Sequence, residues 1–172
     1  KVKKTPRSGI IDWNDMSVSG ISLSARDLRF KGGVMSGDLE RMTFREKSGF
    51  NCHSITGSAE VGNGKTIIRN LKIKDDFSDI DMPLYMMSYS CAKDFGDYIS
   101  KVKMDAEIKE SVLDFRTLAF FANALKDNDL RISVSGSASG YVDDFMFRNI
   151  KARSAAGGAS GWVDGRITGL PE

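Results

Sequence analysis

Histidine is almost missing from this chain, with one residue, and cysteine and proline are scarce, with two and three among 172 residues. The lone His53 sits between Cys52 and Ser54. Neighbours along a strand point to opposite faces, so these three cannot form a nucleophile and base pair. Two cysteines and one histidine also lack the spacing of a zinc site. Cys52 and Cys91 are compatible either with a disulfide or with two buried thiols. No run of about 18 apolar residues occurs, so no stretch spans a membrane as a helix, and any anchor or signal is expected outside this segment. Charge of one sign is lacking too: 25 basic against 23 acidic side chains leave a net charge of +2, interspersed along the chain. A nucleic-acid partner, which needs a concentrated basic surface, is therefore not expected. The one basic cluster, Lys1 to Arg7, reads as a solvated lead-in over residues 1–9.

Glycine, by contrast, is plentiful at 17 residues, which fits a sheet protein with many turns. The chain also repeats itself. Residues 55–73, ITGSAEVGNGKTIIRNLKI, return without a gap at an offset of 79 as residues 134–152, VSGSASGYVDDFMFRNIKA. Gly57-Ser58-Ala59 matches Gly136-Ser137-Ala138, and Arg69, Asn70 and Lys72 match Arg148, Asn149 and Lys151. A third echo runs from Gly20 through Ala25 into Arg26-Asp27-Leu28-Arg29-Phe30. Such duplication marks an architecture built by adding units. Each unit reads as two strands joined by a turn, Gly62-Asn63-Gly64 in one copy and Asp143-Asp144 in the other. Two polar residues between apolar ones break strict alternation and predict a bulge at Arg69-Asn70 and its equivalents.

The rest is mainly strand. Several short strands are expected between Val18 and Phe50, with turns at Lys31-Gly32-Gly33 and Lys47-Ser48-Gly49. Val102 to Lys109 is expected as the clearest strand, with Val102, Met104, Ala106 and Ile108 alternating with Lys103, Asp105, Glu107 and Lys109. Two short helices are expected, over about 94–100 and about 115–126, the second from the stripe Leu118, Phe121, Ala122 and Leu125 with Asp114 or Thr117 as N-cap. Asp75, Asp76, Asp79 and Asp81 lack the glycine and distal glutamate of a calcium loop and read as a solvated turn. Gly62-Asn63-Gly64-Lys65-Thr66 matches a phosphate loop only in its last three residues and lies in a hairpin. No catalytic, metal or cofactor site emerges. What remains is an apolar face, which is either the core of a closed sandwich or the floor of an open trough. Acyl chains would cover such a floor at about 0.8 kcal/mol per buried methylene.

Ile11-Asp12-Trp13-Asn14-Asp15-Met16-Ser17-Val18, Ile21 to Leu28, Leu39 to Phe50, Ser111 to Asp114 and the closing Asp164-Gly165-Arg166-Ile167-Thr168-Gly169-Leu170-Pro171 carry a family likeness. Together they resemble the TamB-like translocation and assembly proteins of Bacteroidota, in the AsmA superfamily. The most specific piece is Phe44 to Phe50. The resemblance implies an elongated, curved, taco-like sheet with an apolar inner face, in one β-repeat domain over residues 10–172. It also implies an internal segment of an inner-membrane-anchored envelope protein crossing the periplasm. Such proteins are implicated in phospholipid transport and in outer-membrane protein assembly through a barrel partner, reached by other parts of the chain.

On that reading the floor is lined by Ile21, Leu23, Val102, Met104, Ile108, Ile132, Val134, Phe147 and Ile150, with phospholipid acyl chains as the ligand. The alternative is a structural or adhesive β-repeat with a closed core and no lipid. A glycan-binding version would use exposed aromatics, for which Trp13, Tyr141 and Trp162 are the candidates.

Overall fold

Turn chemistry sets the hairpins. Gly32-Gly33 (φ 59° and 77°) and Asn63-Gly64 (φ 53° and 71°) supply the paired positive φ angles of a tight turn whose twist matches its strands. A computed structural model describes residues 10–12, 15–122, 125–154 and 157–169. Nine strands follow: β1 (Val18–Lys31), β2 (Val34–Glu46), β3 (Asn51–Gly62), β4 (Lys65–Asp75), β5 (Asp79–Ser88), β6 (Lys103–Asp114), β7 (Arg131–Tyr141), β8 (Asp144–Ser154) and β9 (Ser160–Thr168). They pair antiparallel in sequence order as one open sheet, with β1 and β9 at its edges. The mainly β expectation thus holds. The stretch from Val18 to Phe50, expected as several short strands, instead forms two long ones. Register shifts at Arg26/Arg29 and Leu39/Met42 absorb the polar interruptions without ending the strands.

The expected bulges are present and share one construction. Asp27, Asn70 and Asn149 adopt left-handed backbone, at φ 53°, 52° and 52°. Asn and Asp tolerate this region because their short side chains bond locally. On the paired strand one glycine faces two residues each time: Gly37 faces Asp27 and Leu28, Gly57 faces Asn70 and Leu71, and Gly136 faces Asn149 and Ile150. A β-carbon on Gly37 would meet Leu28 Cδ2 at 2.6 Å, and one on Gly136 would meet Ile150 Cδ1 at 2.7 Å. The third echo is therefore real at Arg26-Asp27-Leu28, but its glycine is Gly37 on the following strand and not Gly20.

Two helical pieces sit at opposite ends of the strands. A 3-10 segment (Ala92–Asp97) runs into a single turn, α1 (Tyr98–Lys101), between β5 and β6. After β6 comes α2 (Phe115–Ala119), shorter than the 115–126 expected, part of which lies outside the described residues. The bonds Phe120 N–H to Thr117 O and Phe121 N–H to Leu118 O tighten its last turn. Adjacent Phe120 and Phe121 both pack on Phe50, each at 5.5 Å between ring centroids, so the apolar stripe is not used as one helical face. Ile11, Phe50 and Cys52 form the buried cluster beneath them, with Phe44, Ile55 and Ile73 against it.

A buried polar chain fixes α2 to the sheet. Asp75 Oδ1 accepts from the Phe77 and Ser78 amides and, with Oδ2, from Thr117 Oγ1. Ser78 Oγ donates to Thr117 Oγ1 and accepts from Asp114 N–H. Asp114, fully enclosed, caps α2 by accepting from Arg116 N–H and takes two bonds from the Arg116 guanidinium, which lies over the Phe77 ring. Asp75 is therefore buried and committed, not part of a solvated turn.

Arg116 holds the Asp114 carboxyl below the usual carboxylate range, against its burial. Because the folded state has the lower pKa, this stabilisation is complete above the unfolded carboxylate range and is lost as pH falls through the folded value. Asp114→Asn is expected to flatten the acid limb of stability against pH, measured as urea midpoints from neutrality down through that range.

Candidate functional site: the apolar face

Residues directly opposite each other across a ladder share a face, so the register traces the apolar surface strand by strand. One row crosses all nine strands: Phe30, Met35, Val61, Thr66, Met87, Met104, Gly140, Phe145 and Ile167. The next runs from Gly37 through Ala59, Ile68, Tyr85, Ala106, Ala138 and Phe147 to Gly165. Beyond the bulges, Leu23, Met42, Ile55, Ile73 and Ile80 form a third row over β1 to β5. Ser111, Val134, Ala152 and Gly161 are matched in the same way over β6 to β9. The opposite face alternates in charge, as in the row Arg26, Asp38, Ser58, Arg69, Leu84, Glu107, Ser137 and Arg148. One face is dry in character and the other is wet.

At 4.7–4.9 Å per strand, eight gaps make the apolar row about 38 Å long. One acyl chain occupies about 15 Å, half of a bilayer's ~30 Å hydrocarbon core. The surface is thus long enough to hold more than one chain end to end.

Helical cover is local. Above β5 and β6 the Tyr98 hydroxyl lies 3.1 Å from Met104 Sδ, 3.6 Å from Met87 Sδ and 3.1 Å from the Tyr85 hydroxyl. Burial pushes the Tyr85 phenol well above its ordinary range, so it stays protonated. Phe95 bridges Tyr89 and Tyr98 at 4.8 Å and 6.1 Å. At the other end, Phe120, Ile11 and Phe50 pack against Phe44, Cys52, Ile55 and Ile73 of β2 to β4. Among the described residues the edges carry no cover: Phe30 is 78% exposed, and Ile21, Leu23, Leu28, Val163 and Ile167 are also exposed.

The nine floor residues expected from sequence do not form one cluster. Ile21 and Leu23 lie on the edge strand β1, whereas Ile132, Val134, Phe147 and Ile150 lie on β7 and β8, with Met104 and Ile108 beside them on β6. Val102 departs from the expectation. It is the C-cap of α1, donates its amide to Tyr98 O and is 0% exposed. At that burial it is not a reachable floor position. Met104 is buried under Tyr98. Sequence reasoning missed Phe30, Met35, Val61, Met87, Phe145 and Ile167, although their spacing along each hairpin carried the signal.

The remaining candidates are placed as follows. His53 is exposed and bonded to Asp76, Cys52 is a buried free thiol, and Cys91 is an exposed one. Trp13 lies outside the described residues. Compared with known proteins, the chain matches no family model, no curated protein and no solved structure.

Proposed function

We propose that this chain is a segment of a TamB-like, periplasm-crossing envelope protein, and that its apolar face carries phospholipid acyl chains while headgroups stay in water. The observation that supports this reading most is the register row that crosses all nine strands with Thr66 as its one polar member, under helical cover at two places among the described residues. Acyl chains are a fitting cover for such a surface, since each methylene removed from water contributes about 0.8 kcal/mol. On this reading no residue performs chemistry, and a barrel partner in the outer membrane is met by other parts of the protein. Small apolar exchanges are tolerated, whereas a charge on the floor is not, because it would be desolvated without a partner.

The test is native mass spectrometry of the purified segment before and after mixing with phosphatidylethanolamine. Retained lipid is expected, and Met35→Asp, at an exposed position of the nine-strand row, is expected to lower the lipid-bound fraction at least about tenfold, in line with the several kcal/mol cost of an unpaired charge. A mass that stays free of lipid overturns the reading in favour of a structural or adhesive β-repeat whose apolar face is closed by other chain.

A further inference from the structure

The polar face holds a feature that acyl-chain binding does not use. Trp162 on β9 is 77% exposed. It sits opposite Lys151, which sits opposite Ser135, while the neighbouring pair Ile150 and Val163 belongs to the apolar face. One residue pair further along, Ser133 faces Arg153. These side chains and Glu110 border a cleft of about 380 Å³, within the range of small-ligand sites.

The chemistry of the cleft is uncommitted. Among the described residues, Lys151 and Arg153 have no ion-pair partner, and the hydroxyls of Ser133 and Ser135 make no hydrogen bond. Two cations against the single carboxylate of Glu110 leave the site net positive. Leaving an indole in water while two cations and two hydroxyls nearby lack partners gives the fold no stability. The same set suits a ligand with a flat apolar side, several hydroxyls and a negative charge.

We propose that this cleft binds an acidic saccharide: the indole stacks on the C–H face of a sugar ring, the serines bond its hydroxyls, and Lys151 and Arg153 neutralise its carboxylate. Trp and Tyr suit this role because they offer a rigid apolar surface with a polar tip. The site is on the face opposite the lipid floor, so it stands or falls independently of the proposed conduit.

The experiment titrates trigalacturonate into the ¹⁵N-labelled protein and follows the backbone amides of Lys151, Arg153 and Gly161 at the cleft, with maltotriose and inorganic phosphate as comparators. A saturable shift is expected, weakened by added salt. Affinity should fall about tenfold in Trp162→Ala and return in Trp162→Tyr. Lys151→Gln should weaken trigalacturonate while leaving maltotriose unchanged. Because Trp162 is so exposed, these variants keep the fold, which far-ultraviolet circular dichroism verifies. No shift with trigalacturonate overturns the proposal, as does unchanged affinity in Trp162→Ala. Maltotriose binding as tightly would remove the role of the charge, and phosphate binding as tightly would reduce the cleft to an anion site; either result also overturns it.

Discussion

Gly136→Ala is expected to cost about 3 kcal/mol, the sum of a left-handed or otherwise restricted backbone position and overpacking. The residue has φ 145°, and an added methyl would lie 2.8 Å from Asn149 O and 2.9 Å from Ile150 Cα. Those neighbours are backbone atoms of the bulge, so relief requires the bulge itself to move. In a thermal melt this should lower Tm by roughly 6–12 °C for a chain of this size. Gly161→Ala on β9 is the matched control: nothing lies within 4 Å of its added carbon and its φ is ordinary. Its effect should stay within about 0.5 kcal/mol. Equal effects from the two would mean that the glycine does not work through the bulge.

Asp75→Ala is expected to be about as damaging, at roughly 3 kcal/mol. The substitution orphans the Phe77 and Ser78 amides and the Thr117 hydroxyl together, in a buried place where water does not replace the carboxylate. Its signature is local as well as global. Hydrogen exchange should lose protection in α2 and at Asp114, whose amide depends on Ser78 Oγ, before the strands β7 and β8 respond. The exposed neighbour Asp76, which bonds His53 and Asn51 at the surface, should tolerate alanine within about 1 kcal/mol. Uniform loss of protection across the sheet in Asp75→Ala would refute a local role for the network.

The features legible in the sequence are those that one short stretch encodes by itself. Asn63-Gly64 announces its turn, and Arg69-Asn70-Leu71 announces its bulge, because the backbone preference of Asn and Gly acts at the residue concerned. The glycine opposite each bulge is chosen by strand pairing. For Asn70 and Asn149 it precedes on the hairpin, whereas for Asp27 it follows as Gly37, and only the register distinguishes the two. The Asp75–Thr117 bond joins residues 42 positions apart, beyond any local pattern. The α2 stripe misled for a related reason: Phe120 and Phe121 answer to Phe50, far away in sequence, and the helical period yields to that contact. The apolar floor was half legible. Alternation gave the facing of Val134 and Phe147, but only the cross-strand register joins them to Phe30 and Met35 at the other edge.

The recurring bulges have one more consequence, best seen by comparing the two surfaces of a single strand. Between Ile68 and Leu71 the chain spends two residues, Arg69 and Asn70, where plain alternation would spend one, and β8 does the same between Phe147 and Ile150. Removing that residue would leave every apolar side chain on its present surface. The insertion therefore does not sort side chains. It adds contour length at mid-strand on two-against-one terms, and a bulged strand bends. Repeated in β1, β4 and β8, it works like the slower-shrinking metal of a bimetallic strip: curl is set by a length mismatch written into the strip, with no outside mould required.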